Sequence, residues 1–329
     1  MELAIGDAGP LLEEESGLAA RAAWLYHAGS LTQSQVAEKL GVTSAKAHRL
    51  IARATRAGNV RVFVEGPIGS CIASEQALAE RHGLAMCRVV PTIDAEVFPV
   101  RELGLAAATF LRDVLEAQQH RLIGIGHGRT LAAAVHLMPR LPCPHLRLVS
   151  LIGGLPRRHQ ANPFEVIDHL AEKTGADAFL LPVPMFARDG ADTPVLRRQF
   201  GVEETLRLAS EASLLMMGVG SLQTEAFLSL AGVITPGELV EVCAAGAEGE
   251  VLGYFYDAHG HLVDTPLHER VVALPLPRPK RLRHAGSAMV IAVAGGAEKV
   301  IAINAVLRSG LLTGLITDEL TARQLVAAA

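Results

Sequence analysis

The chain has 329 residues, half of them hydrophobic, and a formal net charge of −4 at pH 7. This length is enough for one small and one large domain, each with its own core. No apolar run reaches the roughly 18 to 20 residues that cross a bilayer, and the acidic start lacks the basic segment of a signal peptide. We therefore expect a cytoplasmic protein without a membrane partner.

Cysteine and histidine spacing argues against a metal centre. The four cysteines are scattered and form no CxxC pair, and the thirteen histidines show no metal-ligand spacing. We expect reduced thiols, no bound metal and no cofactor.

The first 61 residues divide sharply by charge. Residues 1–17 are acidic and are predicted to form a loose tail, followed by a helix over 18–28. Residues 1–20 carry five acidic and no basic residues, whereas residues 21–61 carry seven basic residues against Glu38 alone. A basic module attached to an acidic body is the electrostatic pattern of a DNA-binding domain.

Residues 31–53 have the spacing of a helix-turn-helix motif. Thr32 is placed to cap a first helix, Gly41 permits the sharp turn, and Thr43 is placed to cap a second helix. In this motif the second helix enters the major groove of DNA. An ordinary helical hairpin has the same spacing, but the local charge favours DNA binding. The predicted DNA-binding residues are Thr32, Thr43, Ser44, Lys46, His48, Arg49 and Arg53.

The rest of the chain alternates between apolar β-rich runs and helical patterns. A strand over 60–64 places the predicted domain boundary at position 61, which gives domains 1–61 and 62–329. Strands that are apolar throughout and separated by helices predict a doubly wound α/β domain with a parallel sheet covered on both faces. The predicted strands are 86–90, 122–126, 147–152, 178–183, 213–219, 250–256, 271–276 and 288–294. The predicted helices are 74–81, 100–118, 130–137, 163–174, 202–211, 236–244 and 298–309.

Four glycine-rich turns follow strand-like runs, at 124–130, 152–155, 218–222 and 294–299. Parallel sheets bind ligands at such strand ends, and a helix N-terminus there favours an anion. The first turn adds His127, Arg129 and Thr130, and the last adds Lys299, which is suited to neutralising a phosphate. Each turn alone also fits a tight strand-helix corner, but four of them predict a common binding cleft.

Two carboxylates are further candidates for the predicted binding cleft, whereas the sequence shows no pattern of catalytic residues. Asp257 and Asp318 follow strand-like runs and are candidates to accept hydrogen bonds from sugar hydroxyls, with capping as the alternative role. The sequence contains no Ser-His-Asp, paired-carboxylate or Cys-His arrangement that would indicate a catalytic centre.

The ordered set of motifs resembles the SorC/DeoR-type sugar-binding transcriptional regulators, specifically the SorC branch. The resemblance rests on the helix-turn-helix and on the runs 124–131, 149–154, 218–221, 253–257, 293–299 and 315–319. It implies an N-terminal DNA-binding domain and an effector domain similar in fold to sugar-phosphate isomerases and CoA transferases. The implied effector-binding residues are Gly126, His127, Gly128, Arg129, Thr130, Gly218, Val219, Gly220, Ser221, Asp257 and Lys299, with Asp318 as a further candidate.

This resemblance implies a bacterial regulator of a carbohydrate or polyol catabolic operon, working as a repressor. Its implied partners are double-stranded operator DNA, a second copy or more in a homodimer or homotetramer, and a small sugar, polyol or sugar-phosphate effector. The loop around His127 is similar to that of the erythritol-catabolism repressors of this branch, which implies a small polyol. The alternative from another class is a sugar-phosphate isomerase-like enzyme fused to a DNA-binding domain.

Overall fold

The computed structural model describes residues 9–57, 60, 69–154, 166–223, 227–276 and 288–328. The chain divides into two compact units, Met1–Glu65 and Gly66–Ala329. The predicted strand over 60–64 lies outside the described residues except for Val60, which has no regular structure. Among the described residues, no helix is both long and apolar enough to span a membrane.

The described part of the first unit forms three helices, α1 (Gly9–His27), α2 (Gln33–Leu40) and α3 (Ser44–Arg56). The predicted loose tail over 1–17 is wrong from Gly9 onward, because α1 already begins there. Pro10 is tolerated in the first turn of a helix, and the leucines and glutamates that follow it have high helix propensity.

The turn between α2 and α3 has the predicted geometry. The Thr32 side chain accepts the N–H of Gln35 in a capping box, and the Thr43 side chain accepts the N–H of Lys46. Gly41 adopts the left-handed conformation at φ 64°, which glycine reaches without steric cost.

Small side chains form the core of this unit and let its three helices pack closely. Among the residues that the structure describes here, nine are buried in this core, five of them are the alanines of α1 and α3, and none is aromatic. The buried residues are Ala19, Ala22, Ala23, Val36, Ala37, Ala47, Leu50, Ile51 and Ala54.

The second unit is built on a seven-stranded, fully parallel sheet of order β1-β10-β9-β5-β2-β3-β4. Its strands are β1 (Met86–Val90), β2 (Leu122–Ile125), β3 (Arg147–Ser150), β4 (Asp177–Phe179), β5 (Leu214–Met217), β9 (Met289–Val293) and β10 (Gly314–Asp318). The chain runs outward from β2 to β3 and β4, and then returns to the other side of β2 with β5. This reversal confirms the doubly wound fold and creates a topological switch point between β2 and β5.

Both faces of the sheet are buried, as the apolar strands predict. In β5, Leu214 and Met216 face one core while Leu215 and Met217 face the other. Because strand side chains alternate between faces, these apolar strands present apolar side chains on both faces of the sheet. Helices cover each face. The helices of this unit are α4 (Gly69–His82), α5 (Val100–Ala117), α6 (Arg129–Leu137), α7 (Ile167–Thr174), α8 (Thr193–Arg197), α9 (Val202–Glu211), α10 (Phe227–Leu230), α11 (Pro236–Ala244), α12 (Leu267–Arg270), α13 (Val300–Arg308) and α14 (Glu319–Ala327).

A small antiparallel sheet joins β6 (Gly220–Ser221), β7 (Ala247–Val251) and β8 (Tyr254–Asp257). The prediction of one continuous strand over 250–256 is wrong, because Leu252 and Gly253 have positive φ values of 52° and 86° and reverse the chain. Consecutive positive φ values are typical of the tight turn of a hairpin. The predicted strand over 271–276 forms only isolated bridges, from Val271 to Phe186 and from Ala273 to Ile152.

Candidate functional site

A cavity of about 530 Å³ lies in the second unit, where β2 and β5 end. Its walls combine the loop after β2, the loop after β5 with β6, and the turn that precedes α13. This is the switch point of the sheet, where the chain leaves neighbouring strands in opposite directions and a crevice opens. The size falls within the range of small-molecule sites. The lining residues include His127, Gly128, Arg129, Thr130, Gly218, Val219, Gly220, Ser221 and Lys299, nine of the twelve predicted effector residues.

The loop after β2 presents a helix N-terminus to the cavity. Arg129 begins α6, and its N-cap residue is Gly128. Because glycine has no side chain, the N-cap residue does not cap the first N–H groups of the helix. The buried Thr130 hydroxyl donates to the Val293 carbonyl at 3.0 Å, which ties α6 to the end of β9. Backbone N–H groups and the helix dipole favour an anion at this position.

Two opposite charges lie at the inner wall of the cavity. The Lys299 ammonium donates to the Val219 carbonyl at 2.8 Å, and burial together with the charge of Arg129 lowers its pKa to about 8. Burial raises the pKa of Glu250 to about 7, although the Gly253 N–H and the charge of Lys299 oppose this shift. Each group therefore changes charge near neutral pH.

Both oxygens of the buried Glu250 carboxylate contact neighbouring backbone. One carboxylate oxygen accepts the Gly253 N–H at 2.5 Å, within the turn between β7 and β8. The other oxygen packs against Gly220, where a side chain would overlap it. A buried carboxyl that lines a cavity is suited to hydrogen bonding with hydroxyl groups.

The Phe98 ring contacts two cations that line the cavity, Arg129 and Lys299. The Arg129 guanidinium carbon lies 4.5 Å from the ring centroid, and the Lys299 nitrogen lies 5.3 Å from it. Both distances fall within the roughly 6 Å of a cation–π contact.

Three predicted effector residues do not line the cavity. Gly126 is buried just before it, and its N–H donates to the Met216 carbonyl at 2.8 Å. Asp257 accepts the N–H groups of His259 and His261 at 2.9 and 2.8 Å, so it closes a turn.

Asp318, the third of these residues, caps α14 in the interior of the unit. Its two oxygens accept the N–H groups of Thr321 and Gly296 at 3.0 and 2.9 Å. The backbone N–H partners of Asp257 and Asp318 match the capping alternative, and Asp318 also accepts the hydroxyls of Thr92 and Thr321.

Residues that line the cavity from outside the predicted glycine-rich turns include Glu96, Phe98, Gln223 and Glu250. Glu250 lies in a predicted strand, where alternation alone does not tell which face meets a cavity. Its one sequence signal is a carboxylate within an otherwise apolar strand, a residue type that is rarely buried without a partner. Phe98 comes from the connection between β1 and α5, and nothing in its local sequence marks it.

The titration of Glu250 gives a pH-dependent prediction. The folded-state pKa lies above the ordinary value of 4.5, so the stabilising contribution is present below pH 4.5 and is lost as the pH rises through about 7. We expect Glu250→Gln to be more stable than the parent protein at pH 8 by about 1–3 kcal/mol, since one pKa unit corresponds to about 1.4 kcal/mol. The difference should disappear at pH 4.5.

Urea unfolding at the two pH values measures this effect. Glu248→Gln is the matched control, because Glu248 lies on the same strand, is only half-buried and does not line the cavity. Equal stability of Glu250→Gln and the parent protein at pH 8 would contradict the prediction.

The first unit presents a polar surface along α3. Ser44, Lys46, His48 and Arg49 are exposed on its first turns, whereas Arg53 is half-buried. The His48 ring lies 3.3 Å from the Gln33 amide nitrogen, so it also contacts α2. Thr32 and Thr43 act as helix caps, with their side chains engaged by backbone N–H groups.

Comparisons with known proteins agree with this architecture. Residues 66–327 match the family model described as "Putative sugar-binding domain". The Erythritol catabolism regulatory protein EryD of Brucella abortus is 45% identical over 316 residues, covering 96% of this chain and 98% of that protein. The Transcriptional regulator LsrR of Enterobacter sp. is 33% identical over 327 residues, covering 98% of this chain and 96% of that protein.

Solved structures show the same fold. The full-length Sorbitol Operon Regulator SorC from Klebsiella pneumoniae superposes with a TM-score of 0.71 at 22% identity, covering 94% of this chain and 98% of that chain. These relatives are transcriptional regulators and not enzymes, so the alternative of an isomerase-like enzyme is set aside. The family match and the near full-length similarity to EryD show that this chain belongs to the SorC/DeoR family of sugar-binding transcriptional regulators.

Proposed function

We propose that this transcriptional regulator controls a polyol catabolic operon and that a short polyol, or its phosphate, binds in the cavity and changes its affinity for operator DNA. The observation that carries the proposal is the cavity at the switch point, where Arg129, Lys299 and Glu250 meet the N-terminus of α6. Cations suit an anionic group, and a carboxyl suits hydroxyl groups. The similarity to an erythritol catabolism regulator supports a four-carbon polyol as the carbon skeleton.

The first unit supplies the DNA contacts in this proposal. In this proposal Ser44 and His48, which are exposed on the first turns of α3, contact base edges, and Lys46, Arg49 and Arg53 contact phosphates and bases. Thr32 and Thr43 hold the two helices of the motif at their first turns.

One small domain binds DNA too weakly to select an operator in a genome, so the active species is a homodimer or homotetramer. Two copies bring two recognition helices to successive half-sites, and their contacts add. The large second unit is proposed to supply the contacts between copies.

The effector acts by favouring one arrangement of the regulator over another. A ligand shifts such an equilibrium only by its differential affinity for the two states. A coupling of roughly 1–3 kcal/mol corresponds to about 5- to 150-fold control of operator affinity. We propose a repressor, in which the effector lowers operator affinity.

Thermal unfolding of the full chain tests the effector site. We expect erythritol or an erythritol phosphate to raise the unfolding temperature, since a ligand at about 100 times its Kd adds roughly 2.7 kcal/mol to the folded state. The comparison panel contains other tetritols, pentitols, hexoses and their phosphates. The same ligand should then release a DNA fragment that was selected from a random library with the ligand-free protein.

Each outcome has a defined meaning. A shift with one polyol together with DNA release supports the proposal, and a shift without any change in DNA affinity contradicts the regulatory role of the cavity. Binding of no compound in the panel contradicts a polyol effector.

A further inference from the structure

The connection between β1 and α5 carries an aromatic ring to the cavity and is anchored near both ends. At its start, the Thr92 hydroxyl donates to Asp318 at 3.3 Å and accepts the Leu320 N–H at 3.0 Å. At its end, the Phe98 carbonyl accepts the Val100 N–H at 2.8 Å, where α5 begins. The backbone is therefore anchored before and after the segment that carries Phe98.

The ring contacts two cations that come from different parts of the chain. Arg129 lies at the start of α6, and Lys299 lies just before α13, yet both charges lie within 5.3 Å of the same ring centroid. Burial lowers the pKa of Lys299, and the like charge of Arg129 lowers it further, as expected for two neighbouring cations. The negative face of an aromatic ring attracts both of them.

A glycine turn makes room for this ring. A Cβ atom at Gly296 would lie 2.8 Å from Cδ2 of Phe98, so any larger residue would displace the ring. The Gly296 N–H is held by Asp318, the same carboxylate that anchors Thr92. Asp318 thus links the start of the connection that carries Phe98 to the turn that leads to Lys299, without lining the cavity itself.

We propose that Phe98 is a specificity-determining residue of the effector site, which holds Arg129 and Lys299 together to receive the phosphate of a polyol phosphate. This inference rests on the proposed function of the cavity as the effector site. Two cations that already share a contact with one ring bind an anion with less reorganisation than two that must be brought together. The same arrangement gives little advantage to an uncharged polyol.

Titration calorimetry with the full chain tests this role. The ligands are erythritol 4-phosphate, erythritol and inorganic phosphate, and the variants are Phe98→Leu and Phe98→Tyr. We expect Phe98→Leu to weaken binding of erythritol 4-phosphate roughly 5- to 30-fold, which corresponds to about 1–2 kcal/mol from two lost cation–π contacts. The affinity of Phe98→Leu for inorganic phosphate should fall in parallel, whereas its affinity for erythritol should change much less. Phe98→Tyr should keep the affinities of the parent protein for all three ligands.

The matched control is Phe200→Leu, because Phe200 is fully exposed and does not line the cavity. It should leave all three affinities unchanged. Thermal unfolding without ligand confirms that each variant is folded.

The outcomes separate this inference from the proposed function. Unchanged binding of erythritol 4-phosphate by Phe98→Leu, or an equal loss for erythritol and its phosphate, overturns the role of Phe98 in charge selection. A parent protein that prefers erythritol over its phosphate also overturns it but leaves the polyol regulator intact. A parent protein that binds neither ligand overturns the proposed function itself.

Discussion

Replacing Lys299 by methionine is expected to remove most of the affinity for a phosphorylated polyol. Lys299 is half-buried and lines the cavity, and its ammonium contacts the same Phe98 ring as the Arg129 guanidinium. Hydrogen bonds to charged groups contribute about 1.5–3 kcal/mol, so binding should weaken roughly 10- to 150-fold. Methionine keeps most of the side-chain volume, and the DNA affinity of the effector-free protein should stay unchanged.

Lysine 173 provides the matched control for this change. The Lys173 ammonium also donates to backbone carbonyls, those of His136 and Met138, at 2.9 and 2.6 Å, but Lys173 does not line the cavity. Lys173→Met should bind the phosphorylated ligand like the parent protein. If Lys299→Met responds to the ligand undiminished in a DNA-release assay, the effector is uncharged.

Replacing Arg49 by alanine is expected to weaken operator binding while effector binding persists. Arg49 is exposed on α3, and alanine is the most favourable residue for a helix, so the fold of the unit should remain. A base or phosphate contact of this kind contributes about 1–3 kcal/mol per half-site, and two half-sites roughly double the loss. The measurement is DNA affinity at several salt concentrations, by mobility shift or anisotropy.

The salt dependence tells which contact Arg49 makes. If it contacts a phosphate, the slope of log K against log salt decreases by about 1 for each half-site, and if it reads a base, discrimination against altered operators is lost instead. Arg21→Ala is the control, since Arg21 is exposed on α1, outside the helix-turn-helix. Equal effects of the two variants would mean that only the net charge of the unit matters.

Local sequence signals predicted the elements that local interactions form. Thr32, Gly41 and Thr43 marked the caps and the turn of the helix-turn-helix, because capping depends on residues within one turn of the chain. The limits of α9 and α11 were predicted to the residue by their apolar periodicity. The reversal at Leu252 was missed, since a leucine with positive φ leaves no recognisable turn signal.

The candidate site also combines residues that local sequence signals predicted with residues that they did not. The glycine-rich strand ends of β2 and β5 were predictable, because parallel strands bring their carboxyl ends to one edge of the sheet. Asp257 and Asp318 have the residue type and position of ligand-binding groups, but the structure directs both carboxylates to backbone N–H groups.

The sequence by itself determined the family, the helix-turn-helix and the alternation of strands and helices, since these depend on spacing along the chain. The tertiary structure decided which side chains share the cavity. Glu250 lies there because β7 pairs with β6, and Phe98 because the connection after β1 passes Arg129 and Lys299. Contacts between residues far apart in sequence depend on strand order and loop path, which no local pattern encodes.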